Sequence, residues 1–172
     1  MGHVALAEYA LAHTGADELW LVLSPQNPHK QSSTLWDDAL RLRLAKAAVR
    51  DTAIKVSDIE FSLPRPNYTY HTLEVLRSRY PDTDFQLLIG ADNYALFDRW
   101  RNYDEILRHH SIWAYPREGT TPDLARFPQI KWLNAPLFPI SSTMIRKKIE
   151  TKESITGLVP PEVEKAIKAL NL

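Results

Sequence analysis

Short apolar runs alternate along the chain with segments of helical periodicity. The runs Leu19–Leu23 and Phe85–Gly90 are nearly continuous in apolar residues, which is typical of strands buried on both faces of a sheet. Further short strands are predicted at Ile54–Ile59, Ile112–Tyr115 and Ile130–Leu133. Because strands and helices alternate nearly throughout, the pattern predicts an α/β fold with an open, doubly wound parallel sheet.

Six segments have helical spacing. They are 4–13 ended by Gly15, 37–50, a helix from Thr69 ended by Pro81, a short helix holding Tyr103 and Leu107, a helix from Ser142, and Pro161–Leu170. A chain of 172 residues is most simply one domain and is long enough to bury a sizeable core. We therefore predict a single domain over 1–172, with a helical C-terminal portion from about residue 141.

The composition excludes several kinds of site and partner. The sequence has no Cys, which excludes disulfides, thiolate nucleophiles and thiolate metal sites. Lys plus Arg and Asp plus Glu number 21 each, so net charge directs the chain neither to nucleic acid nor to a membrane. No apolar run reaches the length of a membrane span or a signal peptide. These features predict a soluble, cytoplasmic protein and leave a homo-oligomer open.

The segment I-S-S-T-M-I-R at 140–146 is the strongest candidate for binding chemistry. Ser141, Ser142 and Thr143 precede an amphipathic helix, where side-chain oxygens can cap the first turn and its N–H groups can bind an anion. Arg146 lies four residues after Ser142 and three after Thr143, so it shares their helix face. Its planar guanidinium suits phosphate oxygens. The alternative interpretation is a well-capped helix with a solvated arginine.

Further candidates lie mostly after predicted strands, where open α/β sheets bind ligands. Gly90 would let a nucleotide approach the backbone closely, and Asp92 can accept a hydrogen bond from a sugar hydroxyl or simply cap a turn. Lys30 ends the loop 24–30 and either reaches phosphates or stays solvated. His3 stands at the start of the first helix, where it either donates to a phosphate oxygen or is an ordinary surface histidine.

Aromatic residues supply candidates for a ring-shaped ligand. Tyr68 and Thr69 stand at a helix start, where Thr69 caps the helix and Tyr68 packs, or both direct donors at a ligand carboxylate. Trp100 follows two charged residues, and its indole either packs in the core or stacks on a flat heterocycle.

Together these residues resemble the nicotinate mononucleotide adenylyltransferases of NAD biosynthesis, within the nucleotidyltransferase superfamily, over essentially the whole chain. The matching segments are Gly2-His3 as the end of an H-x-G-H motif, the loop 24–30, 66–69 with 90–93, and 140–146 as an I-S-S-T-x-I-R signature. The signature is specific to the superfamily. The Tyr68-Thr69 pair and the Trp100 segment indicate the nicotinate branch.

The resemblance implies transfer of AMP from ATP to nicotinate mononucleotide, which releases pyrophosphate and forms nicotinate adenine dinucleotide. It implies that His3 contacts the ATP phosphates and that Ser142, Thr143 and Arg146 hold the leaving pyrophosphate, with Lys30 assisting. Mg²⁺ is implied as the cofactor, bound through substrate phosphates, with no metal-ligating residue in the chain.

For the second substrate, the resemblance implies that Thr69 and the backbone near it receive the nicotinate carboxylate while Trp100 stacks on the pyridine ring. Asp92 would line the nucleotide cleft and Arg117 would lie near its adenosine end. Two alternatives stay open. One is a sibling enzyme such as pantetheine-phosphate adenylyltransferase, and the other is a catalytically silent nucleotide-binding domain.

The sequence departs from the family at its beginning. Members start with a buried strand and a G-x-F-x-P-x-H loop, whereas this sequence starts at Met1-Gly2-His3. The absent strand would lie between the strands 19–23 and 85–89, and each buried backbone group left unpaired would cost roughly 1–3 kcal/mol. We therefore expect about 15 more residues in the native protein, with a Gly-rich turn and a histidine two positions before Gly2. For the short chain itself we expect a sheet that is gapped, rearranged or completed by another chain.

Overall fold

The structure is a computed structural model that describes residues 2–25, 36–50 and 52–170. Its helices are α1 (Gly2–Thr14), α2 (Asp38–Ala48), α3 (Thr69–Arg79), α4 (Ala91–Ala95), α5 (Tyr103–His109), α6 (Ser142–Glu150) and α7 (Pro161–Lys168). Its strands are β1 (Leu19–Val22), β2 (Ile54–Ser57), β3 (Leu87–Gly90), β4 (Ile112–Tyr115) and β5 (Lys131–Trp132). Single 3₁₀ turns occupy Ile59–Ser62 and Phe97–Arg99. Each predicted helix and strand is present, with bounds that differ by a few residues.

The described strands form two parallel sheets. In the first, β1 pairs with β2, and Leu19 lies opposite Ile54. In the second, β4 lies between β3 and β5, and Leu87 lies opposite Ile112. The predicted α/β class with parallel strands is confirmed. The strands are divided between two sheets, however, where the sequence pattern predicts one.

The expected gap between the strands 19–23 and 85–89 and the expected residues before Met1 stay predictions.

The chain forms two compact units. Unit 1 comprises 1–62 and 138–172, and unit 2 comprises 63–137. In unit 1, α2 packs on α7, and the apolar core there is formed by Leu44, Ile145, Ile155, Val159, Val163 and Ile167. The helical portion from about residue 141 is therefore part of a core built with earlier residues. The prediction of a single domain stays a prediction.

The core of unit 2 is aromatic. Phe97 is fully buried, and it meets Phe127 and Tyr103 edge-to-face at centroid distances of 5.7 and 6.1 Å. The hydroxyl of the buried Tyr94 donates to the backbone oxygen of Asp123 at 3.0 Å and accepts from the backbone N–H of Phe127 at 3.2 Å. Since this phenol has partners for both of its roles, it can be buried without an unpaired polar group.

The predicted burial of strands on both faces is correct only in part. Ile89 and Gly90 of β3 are buried, but Leu87 and Leu88 are half-buried. All four residues of β1 are half-buried, so the prediction is wrong for this strand. The physical reason is that β1 has a single neighbouring strand, β2, among the residues that the structure describes.

The helix ends follow local sequence rules. α1 ends at Thr14, and Gly15 follows with φ of 73°, a left-handed conformation that glycine adopts without strain. The side chain of Asp37 accepts from the backbone N–H of Leu40 at 2.8 Å and so caps α2. Across the described ranges, no helix has the length and apolar character needed to cross a membrane. The cytoplasmic location stays a prediction.

Candidate active site

The start of α6 holds the cluster predicted from the sequence, which we call the α6 cluster (Ser141, Ser142, Thr143 and Arg146). Ser141 is the N-cap residue, and its side-chain oxygen accepts from the backbone N–H of Met144 at 3.1 Å. Ser142 and Thr143 are exposed at the first two helical positions, where backbone N–H groups have no partner within the helix. These N–H groups and the positive end of the helix dipole make the start of α6 suited to an anion.

Arg146 lies over this helix start, as its spacing predicts. Its guanidinium donates to the Thr143 hydroxyl at 3.2 Å, and the side chain is half-buried. The contact holds the guanidinium beside the first turn of α6, so its positive charge adds to that of the helix end. The well-capped helix and the phosphate-binding helix are thus compatible, because Ser141 supplies the cap while the next residues stay exposed.

The start of α1 lies against the backbone that leads into α6. A Cβ atom built on Gly2 would stand 2.5 Å from the backbone oxygen of Ile140, a distance that real Cβ atoms essentially never show. Only glycine allows this approach. His3 follows on the first turn of α1 and is exposed. The predicted phosphate residues His3 and Ser141 therefore begin two helices whose starts are close together within unit 1.

Lys30 and most of the loop 24–30 lie outside the described residues, so the role predicted for Lys30 stays a prediction. The described part of that loop is anchored to α2. Arg41 donates to the backbone oxygen of Ser24 at 3.0 Å and pairs with Asp38 at the same distance.

In unit 2, the carboxyl ends of β3 and β4 form the β3–β4 cluster (Gly90, Asp92, Tyr115 and Arg117). Arg117 pairs with Asp92 at 3.7 Å, and both side chains are about half exposed. A Cβ on Gly90 would clash with Asp92 Oδ1 and would lie 3.0 Å from Arg117 Cγ, so these two side chains lie close to the Gly90 backbone. Asp92 does not cap the turn as the simpler alternative predicts, since the N-cap residue of α4 is Gly90 and makes no side-chain cap bond.

Tyr115 completes this cluster. Burial raises the pKa of its phenol above the usual range, and the neighbouring Arg117 only partly offsets that effect. The phenol therefore stays protonated near neutral pH and can donate a hydrogen bond.

The start of α3 is arranged differently from the capping prediction. Tyr68 is the N-cap residue and makes no side-chain cap bond, and Thr69 is the first helical residue. The interpretation of Thr69 as the cap is wrong, because its backbone is already helical. Tyr68 therefore offers no side-chain acceptor to the N–H groups of the first turn, unlike Ser141 in α6.

Trp100 is half-buried and packs against the aromatic core of unit 2. Its ring lies 5.3 Å from that of Phe97 at an interplanar angle of 52°. The packing interpretation is therefore correct for one part of the ring, while the exposed remainder leaves the stacking role as a prediction.

Residues 1–148 match the family described as Cytidylyltransferase-like. The chain is 43% identical over 169 residues to the Bacteroides fragilis protein named "Probable nicotinate-nucleotide adenylyltransferase", which covers 97% of this chain and 84% of that relative. A Flavobacterium psychrophilum protein of the same name is 41% identical over 175 residues, which covers 99% and 91%. The chain belongs to the nicotinate-nucleotide adenylyltransferase family. The resemblance inferred from the motifs is thereby confirmed.

Solved structures of such adenylyltransferases share the fold. The nicotinic acid mononucleotide adenylyltransferase of Plasmodium falciparum complexed with NaAD aligns with a TM-score of 0.75 at 16% identity, over 99% of this chain and 89% of that one. The same enzyme complexed with APC aligns with a TM-score of 0.71, over 99% and 88%. The Rossmann-like nucleotidyltransferase fold expected for an adenylyltransferase is confirmed.

Two residues near the predicted site of this adenylyltransferase were not singled out from the sequence. Tyr115 ends β4, a position that the strand-end rule includes, but its contact with Arg117 depends on the strand's exact end. Arg101 lies with its Cζ 5.0 Å from the centroid of the Tyr68 ring. The sequence indicates a role for Arg101 only through its position directly after Trp100.

Across the described ranges, no group of three or more His, Asp or Glu residues could hold a metal ion. The binding of Mg²⁺ through substrate phosphates stays a prediction.

Proposed function

We propose that this protein transfers AMP from ATP to nicotinate mononucleotide, forming nicotinate adenine dinucleotide and pyrophosphate. The observation that carries the proposal is the α6 cluster, where a guanidinium, a hydroxyl and unpartnered first-turn N–H groups converge in a chain of this family. A cluster of this kind suits a polyphosphate that gains charge as it leaves.

The reaction requires little from the protein beyond positioning the two substrates and stabilising charge. The phosphate of nicotinate mononucleotide is already ionised, so its oxygen attacks the α-phosphorus of ATP without a general base. A new P–O bond forms to that oxygen while the bond from the α-phosphorus to the bridging oxygen breaks, and pyrophosphate leaves with the bond's electrons. No proton or covalent enzyme intermediate is required. Catalysis therefore depends on alignment and on stabilising charge.

In unit 1, Arg146 would bind the leaving pyrophosphate, because its charge is fixed beside the start of α6. Ser142 and Thr143 would donate through their backbone N–H groups and hydroxyls, and His3 would donate from the start of α1. Mg²⁺, bound through ATP phosphates, would neutralise part of the phosphate charge.

In unit 2, the start of α3 at Tyr68 and Thr69 would receive the nicotinate carboxylate, and Trp100 would stack on the pyridine ring. The Asp92 carboxylate and the Arg117 guanidinium would face the nucleotide, and Gly90 leaves room for both side chains over its backbone.

The test is incubation of the purified chain with ATP, Mg²⁺ and nicotinate mononucleotide, with pyrophosphate and the dinucleotide measured together. We expect equal amounts of both products. A parallel reaction with phosphopantetheine tests the sibling activity, and turnover there alone would overturn the proposal. ATP binding without pyrophosphate release would instead indicate the silent domain.

Trp100→Ala tests the stacking role. Loss of a base-stacking aromatic typically costs about 1–3 kcal/mol, so we expect KM for nicotinate mononucleotide to rise about tenfold or more. KM for ATP should stay within about twofold. Steady-state kinetics with each substrate varied in turn measure both values.

Trp100→Phe is the matched variant, because it keeps a flat ring against Phe97. It should recover most of the affinity. Equal losses for both substrates in Trp100→Ala, or a large fall in thermal stability without a change in substrate preference, would show that Trp100 acts only through packing.

A further inference from the structure

The side chain of Arg101 is held over an aromatic ring at the start of α3. Its guanidinium carbon lies 5.0 Å from the centroid of the Tyr68 ring, within the range of a cation–π contact. The Tyr68 ring is fixed in turn by an edge contact with His71 at 6.0 Å. Trp100, the preceding residue, is anchored in the core by Phe97. The position of Arg101 is thus fixed by its contact with Tyr68 and by the packing of the preceding Trp100.

Several arginines of unit 2 form ion pairs with carboxylates. Arg126 pairs with Asp98 at 2.5 Å, and the other pairs are Arg77 with Glu74, Arg108 with Glu105, and Arg117 with Asp92. Among the residues that the structure describes, Arg101 pairs with no carboxylate, and its partner is the neutral Tyr68 ring. Its positive charge is therefore both positioned and available.

Such a guanidinium suits a carboxylate on a flat ring. It is planar, permanently charged and weakly hydrated, and it can donate two parallel hydrogen bonds to one carboxylate. A carboxamide of the same shape carries no charge and presents an NH₂ group to the same donors, which repels them. A site with this arginine would therefore favour an acid over its amide.

We propose that Arg101 selects nicotinate mononucleotide over nicotinamide mononucleotide by pairing with the nicotinate carboxylate. This inference rests on the proposed function, because it places the carboxylate beside Tyr68 and Thr69 and the ring on Trp100. The proposal adds the positively charged Arg101 side chain to the neutral donors at the start of α3.

The experiment compares Arg101→Gln with the wild type for both mononucleotides. We expect kcat/KM with nicotinate mononucleotide to fall about tenfold or more, as for loss of a hydrogen bond to a charged group. The value with nicotinamide mononucleotide should change less than about twofold, so the preference for the acid shrinks. Arg101→Lys should recover part of the preference, since it keeps the charge and loses the planar fork.

Arg99→Gln is the matched control. Arg99 is exposed, lies two residues away and makes no aromatic contact within the described ranges, so its loss should leave both kcat/KM values unchanged. Equal falls for both mononucleotides in Arg101→Gln, or no change for either, would overturn the proposal.

Calorimetric binding of each mononucleotide separates this proposal from the proposed function. A preference for the acid that disappears in Arg101→Gln, without turnover in the wild type, would keep the role of Arg101 and overturn the activity. Turnover with a preference that Arg101→Gln leaves intact would overturn the role of Arg101 alone. Absence of nicotinate mononucleotide binding to the wild type would overturn both.

Discussion

Arg146→Ala is expected to lower kcat for dinucleotide formation by about a hundredfold or more. The charge on pyrophosphate grows as its bond to the α-phosphorus breaks, so a group that binds it contributes more in the transition state than in the substrate complex. Loss of one such group typically costs about 2.7–4 kcal/mol of transition-state stabilisation. The structure supports this role because Thr143 holds the guanidinium at the start of α6. Single-turnover measurement of pyrophosphate release reports the chemical step directly.

Two further variants in α6 test whether the loss in Arg146→Ala is specific to the Arg146 guanidinium. Lys147→Ala removes the adjacent exposed cation from α6 and should leave kcat within about twofold. Arg146→Lys keeps the charge but cannot donate through a planar fork, so it should fall between the wild type and the alanine variant. Wild-type turnover in Arg146→Ala, with α6 still folded by circular dichroism, would contradict the assignment of Arg146.

Local patterns in the sequence predicted the strands, every helix except α4, and the α6 cluster. The spacing of Ser142, Thr143 and Arg146 is a property of any helix, so their convergence follows once the helix begins at the expected residue. The glycine-ended helix α1 and the apolar runs of β1 and β3 are likewise encoded over a few residues. Such features need no knowledge of distant parts of the chain.

Features that depend on distant residues were not predicted. The contact of Arg101 with Tyr68 joins α3 to the segment after Trp100, and nothing in either segment alone specifies it. The half-burial of β1 depends on which strands lie beside it, not on its own apolar composition. The capping interpretation of Thr69 was wrong because threonine suits the N-cap position and the first helical position alike, and the backbone of Tyr68 decides between them.

Gly2→Ala is expected to lower kcat/KM by between about tenfold and a hundredfold. The added Cβ would lie 2.5 Å from the Ile140 oxygen, so the two backbone segments must separate by about 0.5 Å to reach the 3.0 Å of the closest real contacts. That shift moves His3 away from Ser141 and the first turn of α6. A displacement of about 1 Å at such a site can cost a hundredfold in rate. Kinetics with ATP varied at saturating nicotinate mononucleotide measure the loss.

A fall in kcat/KM in Gly2→Ala would indicate the clash, because helix propensity alone predicts no loss. Alanine is favoured over glycine in a helix by up to about 1 kcal/mol, so propensity alone would strengthen α1 and leave or improve activity. Glu8→Ala on the exposed face of α1 removes a side chain without approaching Ile140, and it should keep wild-type kcat/KM. If Gly2→Ala keeps both full activity and full thermal stability, the starts of α1 and α6 do not need their close approach for catalysis. If activity falls while the melting temperature holds, the spacing between the two helix starts is what the reaction requires.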